Sequence, residues 1–324
     1  MSEPMTHPAE RPALLVLIPL QPAARAALAR HFELIEHPEG PGPALWERLG
    51  ERAQQLRLVL SNGSTGLDAA SQQRLPALGL IASFGAGYEG IDVAAARARG
   101  IAVTHTPGAN HATVADHALA LMLGLARGLL PLDAAVRQGR WHSARAARPT
   151  LNGARLGLVG LGHIGAAIAR RAEAFEMEVL YHTRQPRPEH TRWRHEPDLM
   201  ALARAADYLV LACPGGPATR HLADRALLQA LGPQGYLINV ARGSVLDTPA
   251  LIEALAADEI AGAGLDVLED EPAVPPALAA DPRVLLTPHM AGRSPQAQQA
   301  QVENVLANLQ AFLAGQALLT PVPG

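Results

Sequence analysis

Cys213 is the only cysteine in a chain of 324 residues. A lone thiol excludes an intrachain disulfide framework, and no Cys/His cluster has the spacing of a zinc finger, so no metal site is expected. This usage fits a reducing compartment, and a cytoplasmic location is expected. An excess of either charge is also missing. There are 27 Lys and Arg against 30 Asp and Glu, a formal net charge of −3, which argues against nucleic-acid binding through a broad basic surface. Long apolar runs are absent as well. The first, residues 13–20, is interrupted by Pro19 and is too short to span a bilayer, so no membrane association is expected. The residues before it lack a basic stretch, so no secretory leader is expected. The final Thr320-Pro321-Val322-Pro323-Gly324 matches no retrieval or lipidation signal. No internal repeat and no low-complexity tail occurs. What is there is core-forming sequence: 48% hydrophobic and only 18% charged residues. Such a composition fits a globular chain, and the length suggests two domains.

Short apolar runs alternate with Ala-rich helical stretches. Strands are expected at 14–18, 32–35, 56–60, 80–83 and 101–104, with helices such as 22–30 and 93–99 between them. Strand and helix in alternation imply a parallel sheet covered on both faces. This block closes at Thr106-Pro107-Gly108, since Pro and Gly punctuate strongly. Residues 112–127 form a helix that is apolar on more than one face. That pattern means burial, in the core or against another subunit, and periodicity does not separate the two. A second alternating block has strands at 156–159, 179–181, 208–212, 236–240, 262–267 and 284–287, with helices at 164–175 and 249–257. The last helix, 296–313, has apolar residues at i, i+3, i+4, i+7 spacing. The expected class is α/β, with two doubly wound parallel-sheet domains.

Gly160-Leu161-Gly162-His163-Ile164-Gly165 is a G-x-G-x-x-G between an expected strand and an expected helix, the context a dinucleotide fingerprint requires. Gly160 makes the tight turn, Gly162 lets backbone approach a pyrophosphate, and Gly165 lets the helix pack on the sheet. About 20 residues on, an NAD site places Asp or Glu to accept from the ribose 2′-OH. Here Tyr181-His182-Thr183-Arg184-Gln185-Pro186-Arg187 has no acid. Instead Thr183, Arg184 and Arg187 suit a 2′-phosphate. At about 1.5–3 kcal/mol per charged hydrogen bond, this favours NADPH, with NADH still usable. Alternatively, both arginines are solvated loop residues.

Three further segments fall at expected strand ends: Asn239-Val240-Ala241-Arg242-Gly243, Gly264-Leu265-Asp266-Val267 leading to Glu271-Pro272, and Thr287-Pro288-His289. Ligands of open α/β sheets bind at carboxyl strand ends, so these side chains can converge. Arg and His are residue types that can stabilise developing negative charge and carry a proton, which Arg242 and His289 would bring to such a site.

In this order and spacing, the motifs resemble the D-isomer-specific 2-hydroxyacid dehydrogenase family from about Leu56 to Leu313, and most closely its glyoxylate/hydroxypyruvate reductase branch. The resemblance implies a Rossmann-like cofactor domain at 108–289 and a flavodoxin-like substrate domain at 1–107 plus 290–324. Hinges would lie near Pro107 and His289, with the active site in the cleft between the domains. It implies that Arg242 binds the substrate carboxylate and polarises the 2-keto group. His289 would be the acid in reduction and the base in oxidation, hydrogen-bonded to Glu271. Asp266 would hold the nicotinamide carboxamide, and Cys213 and Pro214 would skirt the ribose. His163 and Ile164 of the glycine loop, with Val240 and Ala241 before Arg242, complete the expected cofactor residues. The N–H groups of Ala86 and Gly87, in Phe84-Gly85-Ala86-Gly87-Tyr88, would receive the carboxylate of a small 2-keto acid. Asn62 to Ser64, on the neighbouring loop after strand 56–60, either line the same pocket or form only a structural turn. Cys213 itself is read as a packing residue. A homodimer through the cofactor domain is implied, in which Trp141 either reaches the partner's active site or is an ordinary interface or core residue. Met290-Ala291-Gly292-Arg293-Ser294 departs from the family's usual run after the histidine, which leaves the role of Arg293 open. Two alternatives stay open: an NAD-linked enzyme of D-lactate, phosphoglycerate or phosphonate type, and a dinucleotide-sensing binding protein.

Overall fold

The computed structural model describes residues 11–323. Most of the segment on which the leader expectation rests, residues 1–10, lies outside them, as does Gly324. The chain divides into two compact units, residues 1–110 with 294–324, and residues 111–293.

The first unit holds β1 (Ala13–Val16), β2 (Glu33–Glu36), β3 (Leu58–Ser61), β4 (Leu80–Ser83) and β5 (Ala102–Thr104). They form one parallel sheet in the order β2-β1-β3-β4-β5, the flavodoxin-like winding. Helices start where the sequence supplies a cap. Pro22 and Pro43 open Pro22–Ala29 and Pro43–Leu49. The carboxylates of Asp68 and Asp92 accept from the N–H groups of Ser71 and Ala95 at the next two. The last helix of the chain, Pro295–Leu313, belongs to this unit. Its Val305 and Leu309 are buried with Leu14, Val16, Leu58 and Leu60 on one face of the sheet. Beyond it, Pro321 bridges antiparallel to Thr104. The buried Asn308 side chain accepts from the N–H groups of Leu319 and Thr320. Thr320 Oγ1 in turn donates to the His105 carbonyl at 2.6 Å.

The second unit has a seven-stranded parallel sheet: β6 (Arg155–Val159), β7 (Glu178–His182), β8 (Arg194–His195), β9 (Tyr208–Leu211), β10 (Tyr236–Asn239), β11 (Gly262–Leu265) and β12 (Val284–Leu286). The order is β12-β11-β10-β9-β6-β7-β8. Winding outward in both directions from β6 is the Rossmann arrangement, whose strand order reverses between β6 and β9. The helix His111–Arg127 buries Val114, Ala115, Ala118, Leu119, Leu121 and Met122 in the same cluster as Leu156, Leu158, Ile168 and Val210. Core packing thus takes up most of its apolar surface, while Leu123 and Leu125 stay half-buried. Among the described residues no single helix is long and apolar enough to cross a membrane. The short edge strand β8 and the helices Leu129–Arg137, Leu199–Ala205 and Arg225–Leu231 are additional to the elements expected from sequence.

Candidate active site

The glycine loop leaves β6 and enters the helix His163–Glu173. Gly160 has φ +101°, and a Cβ there would stand 2.8 Å from the Ala212 carbonyl and the Cys213 N–H nitrogen. At Gly165 a Cβ would stand 2.2 Å from the Gly160 carbonyl oxygen. Both positions are thus closed to side chains by the protein's own backbone. Gly162 differs: its φ is −86°, and a Cβ would meet nothing within 4 Å. It borders open space at a helix N-terminus that no side chain caps. An open approach to uncapped N–H groups is what a pyrophosphate requires, so the loop fits a dinucleotide. Next to it, Gly162 and His163 are exposed and Ile164 is half-buried.

At the end of β7 the loop with Thr183, Arg184 and Arg187 is pinned from several sides. The buried Tyr181 hydroxyl accepts from the Arg187 N–H at 2.9 Å. His195 Nε2 donates to the Thr183 carbonyl at 3.0 Å, and Thr183 Oγ1 to the Gln185 carbonyl at 2.6 Å. Both arginines are exposed, and neither guanidinium has a partner among the described residues. Tyr181 and His195 as loop braces were not anticipated; only an aromatic two residues before the loop hinted at them.

Arg242 is set by the turn after β10. The buried Asn239 side chain accepts from the Ala241 N–H and donates to the Arg242 carbonyl, each at 3.0 Å. Gly243 follows because a Cβ there would lie 1.9 Å from the Leu268 carbonyl oxygen. The N-x-x-R-G pattern is therefore a turn that fixes the Arg242 backbone, and Arg242 Nη1 donates to the Ala241 carbonyl at 2.6 Å. That Leu268 segment also carries Glu271, whose Oε1 accepts from the Leu268 N–H at 3.0 Å. Glu271 Oε2 lies 2.7 Å from His289 Nδ1. Burial alone would raise the Glu271 carboxyl. The hydrogen bond and charge of His289, the Leu268 N–H and the Arg242 guanidinium outweigh it and hold the group below the usual carboxylate range. With Nδ1 engaged, His289 Nε2 has no partner among the described residues.

His289 has φ +50°, an uncommon backbone state for a non-glycine residue. Neighbouring hydrogen bonds hold it there. Its N–H donates to the Asp266 carbonyl at 2.8 Å. The buried Asp266 carboxylate accepts from Thr287 Oγ1 at 2.7 Å and from the N–H groups of Met290 and Ala291, each at 2.9 Å. His117 Nε2 donates to Thr287 Oγ1 at 2.9 Å. The donors that the structure gives Asp266 are thus internal, and they brace the segment around His289. His117 and Thr287 were not identified from sequence as part of this brace. Val240 and Ala241 are buried in the core, which leaves only their backbone for a cofactor. Cys213 is half-buried, and burial pushes its thiol up to about 11, so it is no thiolate nucleophile. Pro214 is exposed beside it, and Arg293 and Trp141 are exposed too.

Ala86 and Gly87 belong to the other unit, in the loop after β4. Ser83 Oγ donates to the Gly87 carbonyl at 2.7 Å and His105 Nδ1 to the Ala86 carbonyl at 2.9 Å. Asn62 Oδ1 is engaged in its own turn, where it accepts from the N–H groups of Ser64 and Thr65. No group of three or more His, Cys, Asp or Glu among the described residues could hold a metal ion.

Residues 119–291 match the family model described as "D-isomer specific 2-hydroxyacid dehydrogenase, NAD binding domain". A 2-ketogluconate reductase of Gluconobacter oxydans is 40% identical over 313 residues, 96% of this chain and 99% of that one. A glyoxylate/hydroxypyruvate reductase A of Arabidopsis thaliana is 37% identical over 95% of this chain and 98% of its own. Among solved structures, an NADPH-dependent glyoxylate/hydroxypyruvate reductase of Sinorhizobium meliloti, in complex with NADP and malonate, superposes with a TM-score of 0.89. It is 39% identical and covers 97% of each chain. With its Rossmann unit and a similarity that runs through nearly its whole length, the chain belongs to the D-isomer-specific 2-hydroxyacid dehydrogenase family of NAD(P)-dependent oxidoreductases.

Proposed function

We propose that this protein is an NADPH-preferring reductase of small 2-keto acids, glyoxylate and hydroxypyruvate foremost, that forms the D-2-hydroxy acid. The observation that carries the reading is the Glu271–His289 pair at 2.7 Å, set beside the fixed Arg242. The nicotinamide, when bound, supplies the hydride. Arg242 binds the carboxylate and polarises the keto group, which stabilises charge on its oxygen. His289 holds a proton at Nε2 for that oxygen and recovers it in the reverse direction. Glu271 fixes the ring through Nδ1. The N–H groups of Ala86 and Gly87 receive the carboxylate.

Preference for NADPH is supported by the guanidiniums of Arg184 and Arg187, unpartnered among the described residues, and by the absence of an acid from residues 181–187. A homodimer through the cofactor unit is supported by exposed Leu129, Leu130, Val136 and Trp141, large apolar side chains clustered within 13 residues. Initial rates at 340 nm with glyoxylate, hydroxypyruvate, pyruvate and 2-ketogluconate, each with NADPH and NADH, test the reading. Fast NADPH oxidation with either of the first two is expected. A preference for NADH makes the arginines bystanders, and a preference for 2-ketogluconate reassigns the substrate.

A further inference from the structure

The loop after β4 has a regular pattern in its carbonyls. The Gly85 carbonyl accepts from the Thr106 N–H at 2.8 Å, the Ala86 carbonyl from His105 Nδ1 at 2.9 Å, and the Gly87 carbonyl from Ser83 Oγ at 2.7 Å. Three consecutive carbonyls are thus tied to the ends of β4 and β5. In a trans peptide the C=O of one residue and the N–H of the next point in opposite directions. Fixing the carbonyls of 85, 86 and 87 therefore aims the N–H groups of 86, 87 and 88 away from those ties. None of these three N–H groups has a partner among the described residues. Successive N–H groups pointing one way form an anion-binding concavity.

Of the three ties, two come from elements that any sequence supplies easily, a backbone N–H and a short hydroxyl. The third needs a side-chain N–H donor at one height. His105 is locked for that role. Its N–H donates to the Thr320 carbonyl at 3.1 Å and its carbonyl accepts from Thr320 Oγ1. Its ring meets Tyr88 edge-on, with centroids 5.2 Å apart.

We propose that His105 is a positioning residue for the substrate carboxylate: by holding the Ala86 carbonyl, it orients the Gly87 N–H that binds the anion. The inference rests on the reading of this loop as the carboxylate site. His105 itself touches neither substrate nor cofactor in this role, and it takes no part in proton transfer.

The test compares the wild type with His105→Leu and His105→Asn by steady-state kinetics and by calorimetric titration with malonate. Losing one oriented hydrogen bond corresponds to about a five- to tenfold loss of affinity. The expected result is that His105→Leu raises both the keto-acid KM and the malonate Kd by this factor. Its kcat and its KM for NADPH stay within about twofold. His105→Asn, whose amide can still donate, recovers most of the loss. A His105→Leu protein with unchanged malonate affinity overturns the proposal. So does a wild type that binds no malonate, or a variant in which kcat and both KM values change together. If His105→Leu fails to fold, His105→Ala takes its place with the same readings: the five- to tenfold loss of malonate affinity supports the proposal, and an unchanged affinity overturns it. A wild type that binds malonate but reduces no 2-keto acid refutes the substrate assignment alone, because the malonate comparison still decides the role of His105.

Discussion

His289 combines an imidazole Nε2 that has no partner among the described residues with a left-handed backbone. Residues held in sparsely populated backbone states persist only where their surroundings over-determine them. Here those surroundings are the Asp266 hydrogen bonds and the Glu271 contact. Replacing His289 by Asn is expected to lower kcat by about 10²–10⁴-fold while NADPH still binds, as read by steady-state rates and cofactor fluorescence. Glu271 carries a pH signature. Its folded-state pKa lies below the unfolded one, so its contribution to stability is present above the ordinary Glu value of about 4.3 and is lost as pH falls through the lower folded value. Urea unfolding of wild type and Glu271→Gln should differ at pH 7, and the difference should vanish in acid. A difference that persists at the lowest pH would mean that packing, and not charge, links Glu271 to the fold. At the cofactor end, Arg187→Ala should lower the ratio of NADPH to NADH kcat/KM by roughly tenfold, the value of one charged hydrogen bond.

At the scale of elements, the glycine loop separates binding from folding. Gly165→Ala places a Cβ on the Gly160 carbonyl, so thermal unfolding should show a clear loss of stability. Gly162→Ala meets open space with an ordinary φ. Its melting temperature should match wild type while its KM for NADPH rises at least tenfold; an unchanged KM would remove the pyrophosphate from this loop. The glycine motif and the strand-end positions of Arg242, Glu271 and His289 were legible because each reflects a local rule: a strand, a turn that only glycine tolerates, a side chain at the carboxyl end. The sheet-forming runs were legible too, since buried parallel strands are continuous apolar stretches. The braces were not. His117 reaches Thr287 across 170 positions of sequence, and His105 reaches Ala86 through a turn geometry that no periodicity records. The two-residue strand β8 was equally hidden, since pairing with β7 and not its composition makes it a strand.

At the scale of the whole molecule, Leu129, Leu130 and Trp141 are large apolar side chains exposed within 13 residues of sequence, and the proposed association through this segment would cover them. For the proposed homodimer, Leu130→Glu should shift the sedimentation coefficient from dimer to monomer without changing the circular dichroism. The division of the chain also dictates an order of events during synthesis. Residues 111–293 are continuous and contain all seven strands of their own sheet. The unit that carries Ala86 and His105 instead waits for the last stretch of the chain, because Val305 and Leu309 fill its core and Thr320 holds His105. Domains generally fold as units as they emerge. The ribosome thus delivers five finished strands whose cover arrives only after the whole cofactor unit has been made. A chain that stops at Arg293 should therefore give a protease-resistant fragment of residues 111–293 and a digestible first hundred residues. For this protein the strands of residues 13–104 are made before the cofactor unit yet gain their cover only after it, and the interval between the two is when they most need protection from aggregation.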